Sequence, residues 1–326
     1  MKSRKLYFLI LLLTSTIYSQ SITSNRDLSF EYVATIENLD NEGFAISGDR
    51  MYTIFPGTNS GSDNASLLSI VDLTTLDIVA TYGPVPGYPD KINVFDSIVV
   101  VDGTLFFNVA DDEIEYLGSN FIESAFYNAT MHTHKRGNFL YRAIQSTGFG
   151  VYDMTDPLSP VTVYEHDYEE EDDYPYGISA NGDYIFINDL YPDKTIHIHE
   201  NGNDFSELGQ IITDGNGVHR TATHGNLLYT TRYNNIVVYD ISDPANPVEV
   251  AVHSGAEVSN GEMKIVGEHL LISEGGHASW SNPRAHVFDI SDYQNVELIA
   301  SFDNDQPSYG IDLVGGRLYV AFGQQA

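Results

Sequence analysis

Apolar and polar residues alternate along this chain in short runs, and the runs come in pairs. GNLLYTTRYNNIVVYDISDPANPVEVAV (225–252) shows the pattern: alternating residues, a polar turn, more alternation up to Asp240, a second polar turn, and a last alternating run. A period of two places successive side chains on opposite faces of an extended backbone, so each run predicts a β-strand. Helical periodicity is not evident anywhere. Joins of two or three residues containing Gly or Asn predict hairpins.

Two kinds of hairpin recur. The first has the form apolar–Gly–polar–apolar and turns at Gly48, Gly103, Gly137, Gly182, Gly225, Gly267 and Gly315. The second ends a run on Asp, makes a polar turn and resumes, as in LLSIVDLTTLDIVATY (67–82), GFGVYDMTDPLSPVTVY (148–164), NIVVYDISDPANPVEVAV (235–252) and AHVFDISDYQNVELIASF (285–302). Their aspartates, Asp72, Asp153, Asp240 and Asp289, are 81, 87 and 49 residues apart. The two wide gaps each leave room for a degenerate copy, at 111–124 and 195–212. A period of about 45 residues carrying four strands is the signature of a β-propeller blade.

Seven inner hairpins and six outer ones follow from this count. FEYVATIENL (30–39) is similar to VELIASF (296–302) and LDIVATY (76–82), and reads as the outermost strand of the last blade. The expected fold is therefore all-β: a seven-bladed propeller of four-stranded blades, one domain over 20–326. A strand at about 28–40 pairs with the C-terminal hairpin at about 310–322 and closes the ring, which removes sheet edges. Residues 20–27 supply the third strand of that blade, or it is missing. Six full blades with a ragged end is the alternative.

The repeats resemble those of the LVIVD-repeat β-propellers, surface or secreted proteins of bacteria and archaea. That family pairs an inner hairpin of the form VxGNYAYVA with LxVxDISDPxNPVxxG. Residues 225–252 come closest, GVYDMTDPLSPVTV is a good match, and HVFDISDYQNVEL lacks both prolines. The resemblance implies the fold over most of 40–326, and it carries no catalytic residues with it.

The first residues change the picture of location. Lys2, Arg4 and Lys5 precede an apolar run, Leu6 to Leu13, and small polar residues near Ser19 follow. This is the layout of a secretory signal peptide over 1–19, too short to span a bilayer; a short membrane anchor is the alternative reading. The expected locations are secreted, extracellular or cell-surface, with the periplasm included, and no membrane insertion is expected. The chain has no cysteine, which excludes disulfides, thiolate metal sites and cysteine nucleophiles. Its net charge of −31 becomes −34 without the three leader cations. Nucleic-acid binding, which rests on Lys/Arg neutralisation of phosphates, is not expected.

Candidate chemistry divides into turns and a channel mouth. The turn of DISDP (240–244) is repeated as DMTDP (153–157) and DISDY (289–293), whereas a catalytic pair is needed once. Its Asp and Ser suit backbone bonds two residues on, and its Pro fixes the turn. The acidic run HDYEEEDDYPYG (166–177) lacks a spaced calcium-loop pattern; it reads as a solvated loop, with weak Ca²⁺ binding as the alternative and no other cofactor expected. The i, i+2 histidines His132/His134 and His197/His199 fit strand alternation as well as metal ligation.

In a propeller, inner strands start and second strands end on one face of the channel. The starts are Gly43, Ile98, His132, Gly177, Arg220, Glu262 and Gly310, with Lys91, Tyr176, His219 and Tyr309 as neighbours; second strands end near Gln145, Asp189, Arg232 and Glu274. The expected ligand site is His132, Tyr176, His219, Arg220, Arg232, Glu262 and Glu274, joined by Trp280 on a long loop of blade six. Arg220 and Arg232 there suit a carboxylate or sugar-acid ligand. The residues together point to a monomeric, non-enzymatic module that binds a cell-surface or extracellular protein or glycan. A hydrolase or lyase at the channel mouth is the second reading.

Overall fold

The computed structural model describes residues 7–14, 21–24, 29–37, 43–55, 66–85, 89, 91–119, 130–144, 148–167, 175–189, 195–202, 204–213, 220–232, 234–254, 258, 262–273, 284–303 and 308–322. Apart from one 3-10 turn at Ala110–Asp112, the regular structure among them is all strand. No helix among the described residues is long and apolar enough to cross a membrane.

The strands form a β-propeller. Six blades each consist of four consecutive strands, paired antiparallel in chain order. Their innermost strands are Gly43–Ser47, Ile92–Phe95, Thr130–Arg136, Pro175–Ala180, Thr221–His224 and Met263–Val266 in blades 1 to 6. These six, with Ser308–Val314, touch one another in a closed circle about a central channel.

The seventh sheet is built differently, so the regular blades number six and not the expected seven. Its hairpin, Ser308–Val314 with Arg317–Phe322, is extended by Tyr7–Thr14 and then by Ser29–Glu37. Tyr7–Thr14 runs parallel to both neighbours. The strand expected at 28–40 is thus in the expected sheet, but it reaches the hairpin only through the leader segment. Residues Ser21–Ser24 do not supply the missing third strand; they add a fifth to blade 6, antiparallel to Glu297–Asp303.

Blade 2 also departs from the sequence reading. Its inner hairpin is Ile92–Phe95 with Ile98–Val101, so Ile98 begins the second strand and not the first. The turn between them uses Asp96 at φ 51°, while Gly103 at φ 68° serves the next turn outward. Asp tolerates the left-handed region, so this hairpin carries no glycine to mark it in the sequence.

Among the described residues seven apolar clusters hold the ring, each between neighbouring sheets. One third strand shows how: Val237 packs toward blade 4 with Phe186, Ile198 and Leu228, while Ile236 and Val238 pack toward blade 6 with Leu270, Ile272 and Phe288. Both faces of each sheet are buried, which explains the continuous apolar runs of the third strands. Each such valine contributes about 1.5–3 kcal/mol on burial.

The repeated Asp turns are structural. Asp153, Asp240 and Asp289 each accept a bond from the backbone N–H two residues on, at 2.8, 2.9 and 2.8 Å. Asp72 accepts two, from Thr74 and Thr75, at 2.7 and 3.1 Å. The next aspartate repeats the device: Asp156, Asp243 and Asp292 accept from Leu158, Ala245 and Gln294. The residue between, Met154, Ile241 or Ile290, is buried and plugs the gap under the turn.

One such turn meets the neighbouring blade closely. A Cβ on Gly209, in the outer strand Glu207–Ile212 of blade 4, would lie 2.1 Å from the Pro244 carbonyl oxygen and 3.0 Å from Ala245 Cα. Both obstacles are backbone. Gly209→Ala is therefore expected to destabilise the protein by about 2–3 kcal/mol through overpacking. Urea unfolding checks this as a lower midpoint at constant slope.

Candidate functional site

The inner strands begin at one end of the channel, and three of them begin with a bulge. Register shifts fall at Thr130/His132, Pro175/Gly177 and Ser308/Gly310, which makes Met131, Tyr176 and Tyr309 the extra residues. A bulge turns the strand and re-aims side chains at the rim. In two other blades the start is pinned by a hydroxyl on the adjacent second strand. Thr230 Oγ1 donates to the Arg220 carbonyl at 3.0 Å, and the Glu262 N–H donates to Ser273 Oγ at 3.1 Å.

These starts bring three side chains together across the channel. Glu262, just before the inner strand of blade 6, receives Arg220 Nε of blade 5 on Oε1 at 3.2 Å. Its other oxygen, Oε2, lies 3.1 Å from His132 Nε2 of blade 3, on the far side of the ring. Arg220 also donates to the Tyr176 carbonyl at 3.2 Å, and its guanidinium sits 5.2 Å from the centre of the Tyr176 ring. His132 completes its bonding through Nδ1, which lies 3.3 Å from the Ile178 N–H and 3.0 Å from the Ile178 carbonyl.

Electrostatics fix the protonation of this cluster. Burial depresses the pKa of His132, and the Arg220 charge adds to that effect against the pull of Glu262. Burial alone would raise Glu262, but Arg220 and His132 together hold it well below the usual carboxylate range. At neutral pH the set is therefore Arg220⁺, Glu262⁻ and neutral His132. With its proton on Nε2, His132 donates to Glu262 and accepts the Ile178 N–H on Nδ1, so both ring nitrogens are used. Glu262 keeps 30% of its side-chain surface open although protein surrounds it, as expected for a group hanging into a channel.

The cavity beneath has a volume of about 480 Å³. Lys91, Asn93, Thr133, His134, Ser179, Thr221, Lys264 and Asp312 line its walls along with the cluster. Polar pairs cross from blade to blade here: Asn93 to Thr133 at 2.7 Å, Ser179 to Thr221 at 2.7 Å, His134 to the Ala180 carbonyl at 3.2 Å, and Lys264 to Asp312.

Of the eight residues singled out in the sequence, the structure places four, His132, Tyr176, Arg220 and Glu262, in one contact network. Arg232 does end a second strand, but its guanidinium stays within blade 5, 3.0 Å from Glu249 Oε2 and 3.4 Å from the Tyr239 hydroxyl. His219, Glu274 and Trp280 lie outside the described residues, as do Gln145 and most of the acidic run 166–177. No group of three or more His, Asp or Glu able to hold a metal occurs among the described residues. The sequence reading missed Lys264 and Asp312. Counting two residues on from each strand start, as from His132 to His134, would have found both.

A ring of four-stranded antiparallel blades, with polar strand starts converging on a central channel, defines the chain as a β-propeller. Residues 218–253 match the LVIVD repeat, so this β-propeller carries an LVIVD repeat in its ring. The matched segment is blade 5, including Arg220 at its start. No curated protein matches the chain. Among solved structures it is similar to the computationally designed Ika8 protein, with a TM-score of 0.54 at 10% identity, over 88% of this chain and 97% of that one. It is similar to the β-propeller domain of Cps50 (Swd1) from Myceliophteria thermophila, with a TM-score of 0.58 at 10% identity, over 84% and 90%. Raptor from Chaetomium thermophilum gives a TM-score of 0.61 at 10% identity, over 89% of this chain and 26% of that one. At these identities the likeness speaks for the fold alone.

Proposed function

We propose that this protein is a secreted, non-enzymatic binding propeller that takes an extracellular protein or glycan at the channel mouth. The observation that carries the reading is the state of Glu262. Both of its oxygens are engaged, by Arg220 and His132, and its pKa lies well below the carboxylate range. A general base working near neutral pH needs the opposite, a carboxylate raised toward 7 or a histidine left near it. His132 is also depressed. Fixed, paired polar groups over a concavity suit recognition better than proton transfer. This argues against the hydrolase or lyase reading of the same mouth.

Secretion rests on the leader, Lys2 to Ser19, and on the acidic surface, which suits a salty medium. N-terminal sequencing of the exported protein is expected to begin close after Ser19, which would take Tyr7–Thr14 out of the closing sheet; export with the leader retained would favour an anchor or its structural use as that strand. For binding, the full chain is applied to immobilised extracellular polysaccharides and surface proteins, with Arg220→Ala and Glu262→Gln alongside. Retention of the wild type and at least tenfold loss in variants with unchanged circular dichroism is the expected result. Retention that ignores both substitutions would remove the mouth from the function, and turnover of a small substrate would remove the non-enzymatic reading.

A further inference from the structure

Among the described residues, the charge of the channel lining is the reverse of the charge of the chain. The whole sequence has 15 Lys and Arg against 46 Asp and Glu. The described residues lining the cavity have Lys91, Lys135, Arg220 and Lys264 against only Glu262 and Asp312. His132 and His134 are both depressed, His134 to about 4, and add no charge at neutral pH. The described lining therefore has two excess positive charges inside a strongly acidic molecule. At physiological ionic strength the screening length is about 8 Å, so a ligand within the channel feels this lining more than the distant acidic rim.

The charges also fall in two layers. Lys91, Arg220 and Glu262 each stand immediately before an inner strand, at the mouth. Lys264 and Asp312 lie deeper and touch each other, and Lys135, three residues beyond His132, reaches the Val94 carbonyl of blade 2. At about 3.3 Å per residue the second layer is about 7–10 Å below the first. Among the described lining residues each layer has two cations and one carboxylate, an excess of one positive charge. One anionic group fits each layer.

We propose that the channel binds an elongated dicarboxylate, with one carboxylate at Arg220 and Lys91 and the other at Lys264 and Lys135. This deepens the binding-module reading and rests on it for the site. The sugar form of such a ligand is a disaccharide of uronic acids, and the simple form is a straight-chain diacid of similar reach. Arg220 already gives Nε to Glu262 and Nη1 to the Tyr176 carbonyl, so it meets the ligand as a fixed positive charge, as the lysines do.

Titration calorimetry on the full chain tests this with digalacturonate, suberate, the shorter succinate and neutral galactobiose. One-to-one binding of digalacturonate or suberate is expected, succinate at least tenfold weaker, and galactobiose without measurable heat. If digalacturonate binds and suberate does not, the ligand is the sugar acid; the reverse assigns the simple diacid. Lys264→Met, which removes a half-exposed cation below the mouth and its ion pair with Asp312, is expected to weaken binding at least fivefold with the circular dichroism unchanged. Equal binding of succinate and suberate, galactobiose binding as well as digalacturonate, no binding of either long diacid at millimolar concentration, or indifference to Lys264→Met would each overturn the proposal. If no diacid binds but Arg220→Ala still abolishes retention on the immobilised polysaccharides or proteins, the anion inference falls and the binding module stands. If the diacids bind as expected and retention ignores Arg220, the module falls and the anion site stands.

Discussion

Glu262→Ala is expected to destabilise the protein by about 3 kcal/mol, more than any single contact of an exposed ion pair would suggest. The reason lies in what it leaves behind. Arg220 is 7% exposed and loses the carboxylate facing its Nε, while His132, also 7% exposed, loses the acceptor at its Nε2. Removing one member of a buried pair strands the other charge, an effect of about 3–5 kcal/mol when burial is complete. The partial opening of Glu262 to the channel places this case at the lower end. Glu262→Gln keeps the shape and accepts hydrogen bonds, so about half that loss is expected. Guanidinium unfolding of Glu262→Leu, Arg220→Met and the double variant checks the coupling: the double is expected to lose less than the sum of the singles. Strict additivity would show that the two side chains do not depend on each other.

Acidification is expected to remove about 4 kcal/mol of stability between pH 7 and pH 5 through two histidines. Burial is the largest cause for both: it pushes His134 and His199 to about 4, against 6.5 in the unfolded chain. His134 donates to the Ala180 carbonyl, and His199 bonds the Phe205 carbonyl at 3.0 Å with Phe149 at 4.9 Å between ring centres. The folded pKa lies below the unfolded one, so the unfolded chain binds more protons in the window from 6.5 to 4. Stability is therefore complete above that window and lost as pH falls through it, by about 2 kcal/mol per histidine at pH 5. The Glu262 carboxylate, depressed in the fold, adds a further loss only below its unfolded value of about 4.5. Urea unfolding at both pH values, repeated on His134→Gln/His199→Gln, separates these groups from the relief of acidic self-repulsion. The wild-type loss is expected to exceed that of the variant by about 4 kcal/mol. Equal losses would show that neither ring is held neutral.

The propeller was legible because its turns are chemical. Asp240, Ser242 and Asp243 with their prolines mark the boundary of two strands by bonds to their own backbone, and such local bonds leave a local signature. Blade 2 is illegible where that signature lapses: Asp96 makes a left-handed turn without glycine, and Gly103, the visible turn residue, belongs to the next hairpin outward. The closing sheet was misread because its strands are joined by position in the ring, not by sequence neighbours. At the channel, Arg220 and Glu262 could be placed because each directly precedes an alternating run. Their meeting with His132, 130 residues from Glu262, depends on ring diameter and side-chain reach, which no repeat pattern encodes. Arg232 fails for the same reason: the strand end was right, but Glu249 in the same blade supplies a nearer partner.

The most direct test of a ligand-holding channel is a crystal structure of the full chain with digalacturonate or suberate. The account predicts density within the channel, one carboxylate within about 3 Å of Arg220 and Lys91 and the other near Lys264. A channel without the ligand, or a ligand bound only on the outer strands, would contradict it.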